Sequence, residues 1–387
     1  MDYAFSPGTH PYYANSRKLL ALRPNTKVVQ AAGLTTIADF LKYLNATSGL
    51  AMPAGDLFIV SHGNDRAWMQ IHIDKTQHGG GGGPDPGTFY EVVQAAVPGA
   101  SDPLGTGVTA GSIVIPTKVN TDSTGTLTAM KVNFRGCRIG IAQPFVDEFK
   151  TAFGGQSGLT APKHFHKLYE FVNTGMMEYL AYSLEFVNKT AMANKAAVVA
   201  GFTAANLSFN DGTAVPATNW TDWVPDNVSP GERTVKNLYI NLGMQIGTLK
   251  QVQLEVEFRH TPTRPWTYTI DPLTPMPPKA QYLDTLRTVL KTDPMYASTH
   301  PFPVYTRFAL SSVDDFVDQL TWNFTPGTNS LKCTGVQHVY TVLVPIVSGH
   351  DLASDNLIFN FYPMAGVTDP VTTNLSTSDG SLFYNTP

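Results

Sequence analysis

Charged residues are scarce in this chain. Only 14% of its 387 residues are Asp, Glu, Lys or Arg, well below the roughly 25% usual in soluble proteins. The formal net charge is -4, and no run of like charges or basic stripe with interleaved aromatic residues occurs, so nucleic acid is not expected as a partner. Low charge together with abundant Gly, Pro and Thr favours a strand-rich, loop-rich protein over a helical bundle.

Cysteines and long apolar runs are also scarce. The two cysteines, Cys137 and Cys333, cannot form a disulfide framework and fit a reducing compartment. No apolar run approaches the roughly 18 residues that indicate a membrane span. Residues 1–13 lack the basic and apolar regions of a signal peptide. We therefore expect a soluble, cytoplasmic protein with no membrane partner.

The glycine run at 79–83 does not indicate a nucleotide site. It does not follow the strand-to-helix context of a phosphate loop and lacks the Lys-Ser or Lys-Thr ending, so a mobile loop is expected there instead. His164 and His166 alternate as on a strand and could bind a metal from one face, but no third ligand stands nearby. The sequence therefore predicts neither a cofactor nor a metal.

The first half of the chain alternates between strand and helix patterns. Residues 27–32 and 56–62 predict buried strands, and the apolar residues between 37 and 44 recur at helical spacing. Residues 132–136 predict a third strand, after which Pro144 suits the first turn of a helix. These elements predict an α/β domain with a mainly parallel sheet.

The second half has a different pattern. Residues 167–186 carry apolar side chains at helical spacing and predict a helix that closes the first domain, which we place at 1–195. Residues 238–246 and 252–258 alternate between apolar and polar side chains about a glycine turn and predict a hairpin. We therefore predict an α+β, strand-rich C-terminal domain at 196–387, with a regulatory, substrate-docking or assembly role.

Two of the predicted strands end on a reactive side chain. Residues 57–63 end in His62 and Gly63, and residues 131–137 end in Cys137. Open α/β sheets bind ligands at the carboxyl ends of their strands. If the two strands are neighbours, Cys137 can act as a nucleophile and His62 as general acid and base. The backbone N–H groups of Gly63 and Cys137 would then face the oxyanion.

The paired blocks resemble those of caspases, metacaspases, gingipains, separases and CHAT-type peptidases. An apolar block ending in Ser61-His62-Gly63 precedes by 75 positions another that ends in Gly136-Cys137. Caspases carry Gln-Ala-Cys-Arg-Gly with a histidine upstream. The resemblance covers roughly residues 25 to 185 and implies a three-layer α/β/α fold in a prokaryotic member of this class. It also implies cysteine endopeptidase activity on a peptide or protein substrate.

The same resemblance implies a role for the two residues before the cysteine. In caspases and metacaspases the residue two positions before the nucleophile lines the pocket for the P1 side chain, and Arg135 occupies that position. Its guanidinium would pair with an acidic P1 side chain and disfavour a basic one. Gly136 would let the substrate backbone approach closely.

Other interpretations of these residues stay open. Most free cysteines are small buried apolar residues, and a histidine at a strand end is often simply hydrogen-bonded. A binding or scaffold protein with an unproductive dyad, and another thiol acyl-transfer enzyme, are therefore alternatives to an endopeptidase. A regulatory protein or ligand is a further expected partner. Cys333 has no histidine-glycine partner in the second half, so it is interpreted as a core residue.

Overall fold

The computed structural model describes residues 1–46, 55–78, 87–119, 121, 130–187, 228–262, 265–308, 310–348 and 355–387. Its helices are α1 (Pro11–Leu22), α2 (Ile37–Ala46), α3 (Tyr90–Ala96), α4 (Gln143–Ala152), α5 (Tyr282–Thr292) and α6 (Val313–Gln319). In these ranges, every helix is too short or too polar to cross a lipid bilayer.

The strands of the first half are β1 (Asp2–Phe5), β2 (Thr26–Val29), β3 (Leu57–Val60), β4 (Gly63–Asn64), β5 (Trp68–Met69), β6 (Thr88–Phe89), β7 (Lys131–Arg135), β8 (Gly158–Pro162), β9 (Phe165–Phe171) and β10 (Gly175–Phe186). Those of the second half are β11 (Arg233–Ile246), β12 (Leu249–Pro262), β13 (Trp266–Ile270), β14 (Thr321–Pro326), β15 (Leu331–Val336), β16 (His338–Pro345), β17 (Val347–Ser348), β18 (Asn356–Leu357), β19 (Phe359–Pro363), β20 (Thr372–Thr373) and β21 (Phe383–Asn385).

The first sheet has the strand order β2-β1-β3-β7-β8-β21. All neighbours in it run parallel except β21, which pairs antiparallel with β8. The prediction of a mixed α/β fold with a mainly parallel sheet is therefore confirmed. The sequence did not predict β1, which lies between β2 and β3, or α1, because the residues before 22 show no clear period.

The two faces of the first sheet are covered differently. Leu57 and Phe134 face a core that also contains apolar side chains of α2, α3 and α4. Phe58 and Val60 face the opposite side, where α1 packs together with Met176 of β10 and a residue of β19. One outer layer is thus helical, whereas the other combines a single helix with strands of a second sheet.

The helix predicted at 167–186 is wrong. These residues form most of the antiparallel hairpin β9–β10, which turns at Asn173 with a positive φ of 59°. Nearly all side chains in the first half of β10 are buried, so both faces of the strand are apolar. A strand buried on both faces has no period of two, and its apolar positions can match helical spacing by chance.

The second sheet has nine strands, in the order β17-β18-β11-β12-β16-β10-β19-β20, with β9 paired to β10. The hairpin predicted at 238–258 is confirmed as β11 and β12. The predicted domain boundary at residue 195 lies outside the described residues. Strands from either side of it pair with one another, since β10 pairs with β16 and β19 and β8 pairs with β21.

A third sheet, β13-β15-β14, packs with α5 and α6 around its own apolar core. Cys333 of β15 is completely buried in that core, in agreement with its interpretation from sequence.

Candidate active site

The strands that carry the predicted dyad are neighbours. Strands β3 and β7 pair in parallel with Val60 opposite Arg135, and the backbone N–H of Ser61 donates to the Arg135 carbonyl oxygen at 3.0 Å. The paired residues end there, and His62 and Cys137 each follow two residues later, outside the strands. Because the strands run parallel, both residues lie at the same edge of the sheet.

His62 lies in an aromatic pocket formed by the start of α1. Its ring centroid is 4.8 Å from that of Tyr12 and 5.2 Å from that of Tyr13, and its Nε2 is 3.3 Å from Nδ1 of His10. The backbone N–H of His62 donates to the Tyr13 hydroxyl at 3.1 Å. Burial, followed by the charge of His10, lowers the pKa of His62. The imidazole is therefore neutral at pH 7 and able to accept a proton.

Tyr12 links the surroundings of the two predicted catalytic residues. Its ring packs on His62, while its hydroxyl donates to the Arg135 carbonyl oxygen at 3.2 Å and lies 3.0 Å from Nδ1 of His166. Burial, and then the proximity of Cys137, raises the pKa of Tyr12 well above its usual value, so the phenol remains protonated. No hydrogen bond joins His62 to Cys137 in the described part of the chain.

The Cys137 thiol is half-buried and points toward β9. It donates to the carbonyl oxygen of His166 across 3.9 Å. Burial raises the pKa of the thiol, and the nearby charges of Lys167, Arg259 and Arg138 lower it only in part. In this geometry the thiol is mainly protonated at pH 7.

Alkylation of Cys137 by iodoacetamide should therefore become about tenfold faster with each pH unit from 7 to 9, because the thiolate is the reactive form. Peptide mapping by mass spectrometry at each pH gives the rate. Cys333 provides an internal comparison, since it is completely buried and burial raises its pKa to about 11. A rate for Cys137 that levels off below pH 8 would contradict the raised pKa.

Arg135 does not lie where the sequence predicts. Its side chain is only 6% exposed, and its Nε is 3.4 Å from Oε2 of Glu178, which is equally buried. The same carboxylate oxygen lies 2.9 Å from Nε2 of His166, and Asn360 donates to the other oxygen at 2.7 Å. Arg135 therefore stabilises the contact between the first and second sheets, and the predicted contact with a P1 side chain disagrees with its burial.

The glycines at the two strand ends accommodate a protein side chain. A Cβ atom added at Gly63 would lie 2.5 Å from Cγ1 of Ile139, and one added at Gly136 would collide with Cδ1 of the same residue and lie 2.6 Å from the Ser61 carbonyl oxygen. Ile139 itself is completely buried. Close packing of Ile139, rather than close approach of a substrate, is thus the role that the structure supports for Gly136.

An ion-pair network surrounds the residue after Cys137. Arg138 adopts a positive φ of 60° and pairs with Asp65 at 2.6 Å and Glu185 at 2.7 Å. Arg66 also reaches Glu185, at 3.4 Å. The Asp65-Arg66 turn after β3 is therefore tied to the end of β7 and to β10, which holds the two strand ends in their relative positions.

A cleft of about 390 Å³ lies beside His62. His10 and Tyr13 contact the His62 ring and also line this cleft, together with Gln70, His72 and Lys75. The cleft is therefore the space adjacent to His62. The glycine run at 79–83 predicted near the site lies outside the described residues.

Sequence reasoning missed three residues of this site. Tyr12 comes from a segment with no clear period. Glu178 lies in the segment predicted as a helix, and His166 was considered only as a possible metal ligand. The only available signal was a buried-type carboxylate, Glu178, within the apolar run of 175–182, because a lone charge there requires a partner.

The described residues contain no group of three or more His, Cys, Asp or Glu side chains arranged to hold a metal ion. Comparisons with protein-family models, with curated proteins and with solved structures found no match.

Proposed function

We propose that this chain is a cytoplasmic cysteine endopeptidase with Cys137 as nucleophile and His62 as general acid and base. The observation that supports the proposal is the parallel pairing of the neighbouring strands β3 and β7, whose carboxyl ends lead into His62 and Cys137. Carboxyl edges of this kind are the usual location of sites in α/β folds.

In the proposed reaction, His62 takes the thiol proton of Cys137 and the sulfur attacks the carbonyl carbon of the scissile peptide. The negative charge that develops on the carbonyl oxygen is stabilised by the backbone N–H groups of Gly63 and Cys137. Protonated His62 then transfers its proton to the leaving amine, and a thioester remains. Water activated by neutral His62 hydrolyses the thioester and restores the thiol.

This reaction requires Tyr12 to move. The Tyr12 ring rests on His62 and its hydroxyl is held by Arg135 and His166, so the described geometry corresponds to a resting state of the proposed enzyme. Tyr12 lies in the first turn of α1, next in the chain to Tyr13, which lines the cleft together with His10. A substrate or regulatory ligand that enters the cleft can therefore displace it.

The second candidate is a binding or scaffold protein whose dyad is unproductive. Two observations favour it: His62 and Cys137 share no hydrogen bond among the described residues, and burial raises the pKa of the thiol. The two candidates differ in one measurable property, which is the reactivity of Cys137 toward an electrophile that binds as a substrate does.

A peptidyl acyloxymethyl ketone library should label the wild-type chain at Cys137, and labelling should be absent in Cys137→Ala. The His62→Ala variant should label at least about 100-fold more slowly, because general acid–base catalysis contributes roughly that much or more. His78→Ala is the matched control, since His78 is exposed. Rates are measured by intact mass spectrometry.

Tyr12→Ala distinguishes the resting enzyme from the scaffold. If Tyr12 separates a competent pair, removing its ring should speed labelling of Cys137 while leaving the dependence on His62 intact. Equal labelling of wild type, His62→Ala and Tyr12→Ala would reject the peptidase and leave the scaffold.

A further inference from the structure

A second cavity lies on the third sheet, far along the chain from the strand ends. It has a volume of about 260 Å³ and is bounded mainly by Trp266 and Tyr268 of β13 and by Tyr296, with Asp293 and Leu104 at its margin. This volume is below the roughly 300 Å³ usual for drug-sized ligands. The cavity therefore suits a small chemical group rather than a whole cofactor.

Three aromatic side chains line this cavity and pack against one another. Trp266 and Tyr268 stand side by side in parallel planes, with ring centroids 5.6 Å apart and an interplanar angle of 1°. The ring of Tyr296 is perpendicular to both, at 86° and 87°, with centroids about 6 Å away. Trp266 and Tyr296 are buried among the side chains of the surrounding core, so the ring positions are set before any ligand arrives.

The lining of the cavity includes one acidic side chain. Asp293 is the only charged residue that lines it, and in the described part of the chain no lysine or arginine pairs with this carboxylate. Tyr268 donates its hydroxyl proton to Oδ2 of Asp293 at 2.8 Å, and the backbone N–H of Met295 donates to Oδ1 at 2.8 Å. Each carboxylate oxygen keeps a free lone pair for a ligand.

We propose that this cavity binds an alkylammonium cation. Aromatic faces attract cations through their quadrupole, and cages of Trp and Tyr are the usual receptors for quaternary ammonium groups. A carboxylate at the margin adds charge complementarity without closing the cage. The chemical class is a methylated or primary alkylammonium head, carried either by a small molecule or by a lysine side chain of a protein. The inference does not depend on the proposed peptidase.

The first experiment compares choline with its neutral isostere, 3,3-dimethylbutan-1-ol, by isothermal titration calorimetry on the full chain. Both ligands have the same shape, so only the charge differs. Choline should bind at least about tenfold more tightly, as expected when several partly desolvated cation–π contacts act together. Equal affinity of the two ligands would overturn the proposal. So would a failure of both choline and the peptides described below to bind at 20 mM.

Variants locate the binding in this cavity. Asp293→Asn should weaken choline binding about fivefold or more, because it removes the only charge at the margin while keeping the side-chain shape. Asp284→Asn makes the same charge change on the exposed surface of α5, where the side chain is 74% exposed, and should leave affinity unchanged. Equal effects of the two variants would show that binding responds only to net charge and would reject the site.

A third comparison identifies the source of the cation. A glycine-flanked peptide containing Nε-trimethyllysine is titrated beside choline and beside the same peptide with unmodified lysine. Tighter binding of either peptide than of choline assigns the cavity to a protein side chain, and tighter binding of choline assigns it to a small molecule. Either result supports an alkylammonium site, on the condition that Asp293→Asn weakens the binding of that ligand.

Discussion

The Glu178→Gln substitution is expected to lower the free energy of unfolding by about 3–5 kcal/mol, the usual cost of leaving one member of a buried ion pair without its partner. Arg135 would keep its charge in a site where both side chains are about 5% exposed. The amide can preserve the contact with Asn360, but it cannot neutralise the guanidinium. Urea unfolding of wild type and variant at pH 7 measures the difference.

Glu170→Gln is the matched control for this substitution. Glu170 pairs with Lys18, but the two side chains are 35% and 53% exposed, so the change should cost at most about 1 kcal/mol. A loss of similar size in both variants would mean that the buried pair contributes no more than a surface pair.

The same pair predicts how stability depends on pH. Burial would raise the pKa of Glu178, but the charge of Arg135 and the hydrogen bonds of His166 and Asn360 lower it well below its usual range. A carboxyl whose pKa is depressed by folding stabilises the protein above its unfolded pKa of roughly 4.3, and this stabilisation is lost as pH falls toward the folded value. The difference between wild type and Glu178→Gln should therefore shrink below about pH 4.

Gly140→Ala is expected to destabilise the chain by about 3 kcal/mol, at the upper end of the usual cost of overpacking. A Cβ atom at Gly140 would collide with the carbonyl oxygen of Ala161 and lie 2.9 Å from its carbonyl carbon. Those atoms belong to the backbone of β8, which is fixed by pairing with β7 and β21, so the strand cannot move aside as a flexible side chain would. Thermal unfolding by circular dichroism gives the measurement.

Gly380→Ala provides the control for Gly140→Ala. A Cβ atom at Gly380 would meet nothing within 4 Å, so this variant should stay within about 0.5 kcal/mol of wild type. Equal stability of the two alanine variants would contradict the close contact between the residue-140 turn and β8.

The sequence predictions are correct where a short segment of the chain carries a clear pattern of its own. The helices at 37–44 and after Cys137 and the hairpin at 238–258 were predicted because each buries one face and repeats its apolar residues at a fixed period. Strands β3 and β7 are buried on both faces and were predicted from short apolar runs, whose length fits a strand. Strand β10 is also buried on both faces, but its 12 residues are long enough for a helix, and it was predicted as one. Strand β1 was missed because the residues before 22 show no clear period.

In the candidate site, too, the sequence predicted only the residues that a local pattern indicates. His62 and Cys137 were predicted to share one edge of a parallel sheet, and the register of β3 and β7 brings them there. Tyr12, Glu178 and His166 reach the site from other elements, and no local pattern predicts which element covers a given face of a sheet.

The sequence by itself therefore determined that two apolar strands end on a histidine and a cysteine, because alternation and turn residues are encoded within a few positions of each other. Only the tertiary structure decided that Tyr12 packs on His62 and that Arg135 turns into the interior to meet Glu178. The physical reason is that burial depends on contacts between distant segments. A charged side chain beside the cysteine can face either a substrate or the interior, and the buried carboxylate of Glu178 provides the partner that stabilises the second arrangement.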